Sequence, residues 1–465
     1  MYNWLELQAQ RLPDKPAVVF NEETVTFSKL YDESKRLKAH VESLERKRIA
    51  LYIGNTLDAI YIIHAAILAK IEVVMINTRL TPHEITAQLE DISVDTIVAT
   101  EPLELDGYNI YQLKELLTLT ALPVDKSGIS GDDVLSIMFT SGTTGRAKAV
   151  PQTFRNHYAS ARGCENRFGY SEESIWMNVN PIYHISGFSV LLRSVIRGCT
   201  MVLVEKFDES TVWKRITEHS VTHTSMVPVM LSRLLNHPIP AHNLQGVLLG
   251  GAGVTRQVLS DALDAGLPVY NSFGMTETCS QIVSIGHDDP KILEGTVGRP
   301  LENISIQIDE TNDGELLVHG APVTNGYLNA EMELSDGYFR TGDMGYIDAE
   351  GYLYILDRRK DLIISGGENV YPKEIEDVIM MMPEVANAVV VKRKDKEWGE
   401  VPVLLIETRY GMTIKDAEIM RHLEGRVAKY KRPKEIIRMS QILMTSTGKV
   451  SRVRNQKVYD EKKKQ

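Results

Sequence analysis

The chain reads Thr140-Ser141-Gly142-Thr143-Thr144-Gly145-Arg146-Ala147-Lys148 directly after an apolar run at 134–139 that predicts a buried strand. Glycines let backbone N–H groups approach a phosphate closely, and hydroxyls and an ammonium add donors for its oxygens. The spacing differs from a Walker A loop, because Lys148 lies three residues after Gly145 instead of directly after it. The stretch predicts a strand followed by a phosphate-binding loop of another kind, with an ordinary polar connector as the alternative.

Size and composition indicate a globular protein of two or three domains, since 465 residues exceed one compact core and the hydrophobic content is 43%. The cysteines, Cys164, Cys199 and Cys279, form no Cys-x-x-Cys pair, which favours a reducing compartment without disulfides or structural zinc. The longest apolar stretch, 59–69, is too short to span a bilayer, and the N-terminus has no signal-peptide core. We therefore expect a cytoplasmic protein without membrane insertion.

The formal net charge of −10 argues against nucleic acid as a partner. This charge is unevenly distributed, because the chain from residue 358 onward has 24 Lys and Arg against 16 Asp and Glu, and the rest has 28 against 46. A basic C-terminal segment on an acidic body predicts a separate unit that handles an anionic ligand. A solvated basic face is the alternative.

The first part of the chain alternates strand-like and helix-like segments. The pattern predicts strand 48–53, helix 57–69, strand 72–76, a helix that begins at the capping-box pair Thr81 and Glu84, and strand 96–99. Such a βαβα order is typical of parallel sheets covered by helices.

A second strand-to-loop junction follows at 247–253, where an apolar run meets Gly250-Gly251-Ala252-Gly253 and then a helical pattern at 254–265. It is a weak dinucleotide fingerprint, because Arg256 occupies the place of the third glycine.

The sequence pattern changes at two further places along the chain. Short strands and turns at 304–354 predict a small β unit, and charge and pattern both change near 357–361. We therefore predict an N-terminal domain at 1–357 and a C-terminal domain at 358–465.

Three further segments combine chemistry with turns: Asn271-Ser272-Phe273-Gly274-Met275-Thr276-Glu277-Thr278, Tyr338-Phe339-Arg340-Thr341-Gly342-Asp343 and Thr445-Ser446-Thr447-Gly448-Lys449. An aromatic ring can stack on a nucleobase, and a carboxylate can hold Mg²⁺ among phosphate oxygens. Taken singly, each segment could equally be a structural turn or a surface loop.

Together and in this order, the four segments resemble the adenylate-forming superfamily, which includes acyl- and aryl-CoA synthetases, luciferases and the adenylation domains of peptide synthetases. The resemblance covers nearly the whole chain. It implies an α/β fold with a large N-terminal domain, formed by two α/β subdomains and a small β subdomain, and a small mobile α+β C-terminal domain. It also implies ATP, Mg²⁺ and coenzyme A as cofactor and co-substrates.

Carried over residue by residue, the resemblance assigns adenine stacking to Phe273, the magnesium ion to Glu277, the ribose to Asp343 and the hinge to Lys360. It implies that the catalytic residues are Lys449, His184 and Thr276. The nucleotide-binding set that it implies is Thr140, Ser141, Gly142, Thr143, Thr144, Gly145, Lys148, Gly250, Gly251, Ala252, Asn271, Phe273, Gly274, Asp343 and Arg358. Low-priority candidates for the coenzyme A phosphates are Lys429, Lys431, Arg432 and Lys434.

Two departures from the family pattern concern phosphate contacts. The family loop usually continues Gly-x-Pro-Lys-Gly, whereas this chain reads Gly145-Arg146-Ala147-Lys148-Ala149. Some relatives have an arginine where this chain has Asn369. Neither departure removes a group that the chemistry requires.

The acid pocket is expected near 181–187, which resembles the family segment that places a histidine, here His184, beside the acyl carboxylate; a core histidine is the alternative. Arg193 lies in an apolar run, and because burial of an unpaired guanidinium is costly, we expect it to meet an anion from the protein or the substrate. Arg197 is the fallback. The substrate-binding set that the resemblance implies is His184, Arg193, Gly251, Ser272 and Gly274.

The stretches 76–81, 151–158, 181–187 together with 191–193, and 273–281 resemble bacterial 2-succinylbenzoate–CoA ligases of menaquinone biosynthesis. The implied substrates are 2-succinylbenzoate, ATP and coenzyme A, joined through an acyl-adenylate with release of pyrophosphate and then AMP. Alternatives are another aryl- or medium-chain acyl-CoA ligase, an adenylation enzyme that charges a carrier protein, and a non-enzymatic nucleotide sensor. Against the carrier-protein enzyme, Tyr183-His184 stands where amino-acid activators place an aspartate.

Overall fold

The computed structural model describes residues 3–121, 128–140, 147–312, 314–358, 361–365, 368–395, 398–424, 426–445 and 448–464. Its strands form four sheets, two of them mainly parallel and flanked by helices. No described helix is long and apolar enough to cross a membrane.

The first sheet has six strands, and its parallel part is extended by one antiparallel edge strand that follows the predicted phosphate loop. In spatial order the strands are Asn109–Gln112, Thr96–Ala99, Arg48–Tyr52, Glu72–Met75, Val134–Thr140 and Lys148–Thr153. Helices Leu57–Leu68, Pro82–Glu90 and Leu113–Leu116 accompany it, and the helix Phe27–Glu42 packs on Leu57–Leu68 and on two strands of the second sheet. The predicted capping box is present, since the hydroxyl of Thr81 accepts from the backbone N–H of Glu84.

The second sheet has nine strands. In spatial order these are Arg299–Pro300, Ser280–Gly286, Val269–Met275, Gly246–Leu249, His223–Met226, Ile175–Asn178, Thr200–Leu203, Pro16–Phe20 and Glu23–Thr26. The six strands from Val269–Met275 to Pro16–Phe20 are parallel. Its helices are Trp4–Arg11, Phe154–Phe168, Ile185–Arg197, Glu209–Glu218, Pro228–Leu235 and Arg256–Asp264.

The two large sheets share one apolar core. Leu51 and Ile60 of the first subdomain belong to the same buried cluster as Trp176, Phe188 and Leu192 of the second. Their packing fixes the helix Ile185–Arg197 relative to both sheets, and this helix forms one wall of the cavity described below.

A five-stranded antiparallel sheet follows, in the place of the predicted β unit. Its strands are Ile304–Asp309, Glu315–Gly320, Leu334–Ser335, Tyr338–Ile347 and Leu353–Arg358. Its own apolar cluster includes Leu316, Val318 and Leu353.

The last part of the chain forms a fourth sheet with separate apolar clusters on its two faces. Its strands are Ile363–Ser365, Glu368–Val370, Val385–Asp395, Gly399–Thr408 and Glu435–Arg438, and its helices are Pro372–Ile379, Asp416–Leu423 and Arg452–Lys464. A separate core is what a small α+β domain requires.

Candidate active site

A cavity opens at the carboxyl ends of parallel strands in the nine-stranded sheet, which is where open α/β sheets place their ligands. It encloses about 520 Å³, including its open mouth. Its walls include Arg193 of helix Ile185–Arg197 and residues that directly follow the strands. The lining brings together five residues predicted for nucleotide or acid binding: Arg193, Gly250, Gly251, Ser272 and Gly274.

A tight backbone approach forms the floor of this cavity. A Cβ atom built on Gly274 would lie 2.1 Å from the carbonyl oxygen of Ser280, so only glycine fits without displacement of the backbone. The register of the two adjacent strands shifts between Phe273 and Gly274. The two strands are connected by a 3-10 turn, Thr276–Thr278, which places Thr276 and Glu277 next to each other, as their proposed roles require.

Glu277 is buried beside oxygen donors from two other segments. The hydroxyls of Tyr327 and Thr140 donate to its Oε1 atom at 2.9 and 3.4 Å. The ammonium of Lys148, at the end of the predicted phosphate loop, lies 4.6 Å from the centre of the Tyr327 ring. The carboxylate therefore lies between the two ends of that loop and the turn.

The site chemistry fits magnesium held largely by substrate oxygens. Mg²⁺ prefers oxygen ligands and is usually bound by one or two carboxylates together with phosphates. Glu277 and the neighbouring Thr140 hydroxyl are ligands of this kind. In the described part of the chain, no group of three or more histidine, cysteine or acidic side chains could hold a metal ion alone.

A series of buried hydrogen bonds connects the turn Thr276–Thr278 to residues of the six-stranded sheet. The amide nitrogen of Gln152 donates to the carbonyl of Thr276 at 2.6 Å, and Ser136 links Gln152 to the Nε2 atom of His157 at 2.9 and 2.8 Å. Burial, and then the charge of Arg193, lower the pKa of His157 to about 3, so its imidazole is neutral at pH 7. Sequence reasoning missed Gln152 and Tyr327.

Arg193 is 1% exposed and makes only neutral contacts among the described residues. Its Nη2 atom donates to the Oε1 atom of Gln281 at 2.8 Å and to the hydroxyl of Ser280 at 3.1 Å. Its guanidinium carbon lies 5.5 Å from the ring centre of Trp176. No carboxylate of the described chain pairs with it, and its Nε atom has no hydrogen-bond partner there. We expected the anion beside Arg193 to come from the protein or from the substrate. Because no carboxylate of the described chain pairs with Arg193, the substrate is the remaining source.

Arg197, the fallback, is the last residue of the same helix, one turn after Arg193. Its Nε atom is 2.9 Å from Oε1 of Glu165, and it is absent from the lining of the cavity. Arg193 is therefore the better candidate for an acid ligand.

His184 precedes the helix that carries Arg193, and its neighbours Ile185 and Ser186 line the cavity. Burial, followed by the charges of Lys449 and Arg79, lowers its pKa to about 4. At pH 7 this side chain is a neutral hydrogen-bonding group.

Lys449 reaches the same cavity from the C-terminal domain. A Cβ atom built on Gly251, which has φ +80°, would lie 3.7 Å from Cε and 4.0 Å from Nζ of Lys449. The next glycine, Gly448, lies against Val229 of the N-terminal body, with 3.6 Å between its built Cβ position and a Val229 methyl. The predicted catalytic lysine and the predicted acid pocket are thus adjacent.

The structure describes some of the residues predicted to contact the nucleotide, and others lie outside the described residues. Phe273 is half-buried against the cluster of the β subdomain, and the side-chain amide of Asn271 donates to the carbonyl of Thr296 at 3.1 Å. Asp343 is buried and pairs in register with Arg358 on the neighbouring strand. Residues 141–146 and Lys360 lie outside the described residues, as do the side chains of Arg358 and Asn369.

Two of the proposed coenzyme A cations have carboxylate partners of their own. Lys431 pairs with Glu374 at 2.7 Å, and Arg432 lies 3.5 Å from Glu424. Lys434 lies near the Trp398 ring. These contacts weaken the case for Lys431 and Arg432 as phosphate ligands.

The sequence is similar to known proteins along nearly its whole length. The sequence model of the AMP-binding enzyme family matches residues 5–328, and that of the AMP-binding enzyme C-terminal domain matches residues 374–449. A 2-succinylbenzoate–CoA ligase of Staphylococcus epidermidis is 45% identical over 462 residues, which cover 97% of this chain and 96% of the relative.

Solved structures are also similar to this chain over nearly its whole length. An o-succinylbenzoate CoA synthetase from Bacillus subtilis, in complex with the acyl-adenylate intermediate OSB-AMP, superposes with a TM-score of 0.92 at 35% identity and 98% coverage of each chain. The form with ATP and magnesium ion has a TM-score of 0.91, with 97% of this chain and 98% of that chain covered. The predicted fold is confirmed, and the chain belongs to the AMP-binding, adenylate-forming enzyme family.

Proposed function

We propose that this chain activates 2-succinylbenzoate with ATP and transfers the acyl group to coenzyme A, as a step of menaquinone biosynthesis. The observation that carries the proposal is one cavity that Arg193 and Gly251 line together, with Lys449 directly against Gly251. The names of the relatives support the identity of the acid.

In the first step, one carboxylate oxygen of the acid attacks the α-phosphorus of ATP. A new O–P bond forms, the bond to the bridging oxygen of the β-phosphate breaks, and pyrophosphate leaves. Such transfers depend mainly on positioning and charge stabilisation. The ammonium of Lys449 holds the carboxylate and α-phosphate oxygens together, while Thr276 and Lys148 donate to the phosphates.

Glu277 is the residue that would hold magnesium, and the hydroxyl of Tyr327 fixes one oxygen of its carboxylate. When bound, the ion supplies positive charge that offsets the charge on phosphate oxygens. Phe273 and Asp343 would contact the adenine and the ribose.

In the second step, the thiol of coenzyme A attacks the acyl carbonyl. A C–S bond forms, the C–O bond to the phosphate breaks, AMP leaves with the electron pair, and the thiol proton is released. Lys449 has no part in this step. The C-terminal domain at 358–465 would turn about Lys360 between the steps.

The second carboxylate of the substrate gives Arg193 its role. A buried guanidinium with neutral partners is stabilised by an incoming anion, and charge-assisted hydrogen bonds are about twice as strong as neutral ones. His184, neutral at pH 7, would donate to the carboxylate that is activated.

We infer a cytoplasmic location, because ATP and coenzyme A are intracellular co-substrates and all three cysteines are free, buried thiols.

The test is coenzyme A-dependent AMP release with Mg-ATP and a panel of acids: 2-succinylbenzoate, benzoate, 4-coumarate, hexanoate and a no-acid control. Strong preference for 2-succinylbenzoate is the expected result. Turnover with another acid would keep the mechanism and reject the substrate. Acid-dependent pyrophosphate exchange without AMP release to coenzyme A would indicate a carrier protein as the acceptor.

A further inference from the structure

Asp357 lies on the last strand of the β subdomain, Leu353–Arg358, immediately before the chain enters the C-terminal domain. Its side chain is buried, with 6% of the residue exposed. Among the described residues, it makes two hydrogen bonds to groups that follow the predicted hinge residue Lys360, so this carboxylate links the two domains.

The first bond caps a helix of the C-terminal domain. The helix Pro372–Ile379 begins after Tyr371, whose side chain makes no capping hydrogen bond. Instead, Oδ2 of Asp357 accepts from the backbone N–H of Lys373, in the first turn, at 2.7 Å. A carboxylate at this position satisfies an unpaired donor and complements the helix dipole. Asp357 thus performs from outside the domain what the N-cap residue usually performs.

The second bond is to Arg452, which begins the helix Arg452–Lys464. Its Nη1 atom lies 3.3 Å from Asp357 and 2.8 Å from Asp361, and its Nη2 atom donates to both oxygens of Glu376 at 2.7 and 2.8 Å. Asp361 and Glu376 follow Lys360 in the chain. Asp357 alone of these three carboxylates precedes it.

Arg452 is rigidly connected to the catalytic lysine. Only two residues, Val450 and Ser451, lie between them, and a backbone bridge between Met444 and Val450 closes the loop that carries Lys449. Asn455, on the same helix as Arg452, accepts from the backbone of Leu443 at 3.0 Å and so fixes the other end of the loop. The position of Arg452 therefore determines the position of Lys449 over Gly251.

We propose that Asp357 is a positioning residue for adenylate formation, which holds the C-terminal domain in the orientation that places Lys449 at the cavity. The inference rests on the proposed function of Lys449 in the first step. These two bonds act in the same direction, because one fixes the helix Pro372–Ile379 and the other fixes the helix that follows Lys449.

The test compares Asp357→Asn with Asp361→Asn in the two half-reactions. Both carboxylates contact the Nη1 atom of Arg452, but Asp357 precedes Lys360 in the sequence and Asp361 follows it. The two variants therefore form a matched pair. Adenylate formation is followed by pyrophosphate release in a single turnover without coenzyme A. Thioester formation is followed from synthetic 2-succinylbenzoyl-adenylate and coenzyme A.

For Asp357→Asn we expect adenylate formation to fall about tenfold or more, with thioester formation nearly unchanged, because the amide keeps only one acceptor oxygen for the two bonds and loses the charge that pairs with Arg452. For Asp361→Asn, any loss should fall equally on both steps. An equal loss in both steps for Asp357→Asn would overturn the proposal.

A second measurement does not depend on activity or on the identity of the acid. Gly253 lies against Lys373, with 3.0 Å between a Cβ built on the glycine and Cε of the lysine. In a Gly253→Cys and Lys373→Cys protein, a short bismaleimide should join the two new thiols, because the three native cysteines are buried.

Addition of Asp357→Asn should slow this cross-link about tenfold, while addition of Asp361→Asn should leave its rate nearly unchanged. Equal rates in all three proteins would reject the proposal. If the wild-type enzyme fails to activate 2-succinylbenzoate but the cross-link responds to Asp357→Asn, the assigned substrate is wrong and the positioning role stands.

Discussion

At the scale of single residues, Arg193 is the clearest candidate for a substrate contact. Its charge is buried without a carboxylate partner in the described chain, which lowers the stability of the free protein, and an anionic ligand would offset that loss. We predict that Arg193→Met raises the Michaelis constant for 2-succinylbenzoate about 10- to 100-fold, since one charge-assisted contact is lost. The melting temperature of the free protein should stay equal or rise, because an apolar side chain of similar size replaces a buried charge without a carboxylate partner in the described chain.

The matched control is Arg197→Met on the same helix. Arg197 pairs with Glu165 outside the cavity, so its loss should leave that Michaelis constant unchanged. An unchanged constant for Arg193→Met, measured under the same conditions, would remove Arg193 from the acid site.

His64 gives a second residue-scale prediction, on stability. Burial in the helix Leu57–Leu68 lowers the pKa of His64 to about 4, and its Nε2 atom has no hydrogen-bond partner among the described residues. In the unfolded chain the pKa is about 6.5, so below that pH the unfolded state binds more protons and the folded state loses stability, until the pH reaches about 4. At pH 5 the loss is about 2 kcal/mol.

His64→Leu should therefore lose about 2 kcal/mol less than the wild type between pH 7.5 and pH 5, as measured by urea unfolding. His83→Gln, at an exposed position of the helix Pro82–Glu90, should follow the wild type. Identical pH dependence in the His64→Leu and wild-type proteins would show that His64 is not held neutral by burial.

At the scale of elements, sequence patterns predicted the strands and helices around the site with end errors of one or two residues. Strand 96–99 and the Thr81 capping box are as expected, and the helix predicted at 254–265 spans Arg256–Asp264. These elements depend on local periodicity and capping chemistry, which are visible in a short window of sequence.

The supporting contacts of the site could not be predicted in this way. Tyr327 is 50 residues from Glu277, and Gln152 is 124 residues from Thr276. Neither lies in one of the segments that carry the resemblance to the family's nucleotide site, and their contacts exist only once two sheets and the β subdomain have packed. A polar residue beside a turn, such as Gln152, has no local signal that distinguishes it from an ordinary strand residue.

The strand junction at Gly274 gives an element-scale prediction. Gly274→Ala would place a methyl 2.1 Å from the Ser280 carbonyl, so the turn with Thr276 and Glu277 must shift. We expect a loss of stability of about 3 kcal/mol and a loss of adenylate formation of at least about 100-fold.

Gly163→Ala is the opposite case. Gly163 lies inside the helix Phe154–Phe168, and a Cβ there would meet Leu301 at an ordinary 3.6 Å. It should raise stability by about 1 kcal/mol with activity retained. Urea unfolding and pyrophosphate release on both variants test the pair, and similar behaviour of the two would contradict the role of the close approach.

At the scale of the whole molecule, the site is assembled from separate domains. The cavity, Glu277 and the phosphate-loop ends belong to the N-terminal body, whereas Lys449 comes from a domain with its own core and reaches Gly251 across the interface. Some cations of the C-terminal segment pair with carboxylates of the same domain, as Lys431–Glu374 and Arg452–Glu376 show. Net charge alone therefore could not identify the coenzyme A ligands.

Because Lys449 is supplied by the second domain, its removal should separate the two chemical steps. We predict that Lys449→Ala abolishes adenylate formation, which needs a cation between the carboxylate and the α-phosphate, and spares thioester formation from supplied 2-succinylbenzoyl-adenylate. Lys457→Ala, an exposed lysine on the helix Arg452–Lys464, should change neither step. Single-turnover pyrophosphate release and thioester formation measure the two. Equal loss of both steps in Lys449→Ala would mean that the lysine shapes the site instead of acting in one reaction, and the division of labour between the domains would then have to be rejected.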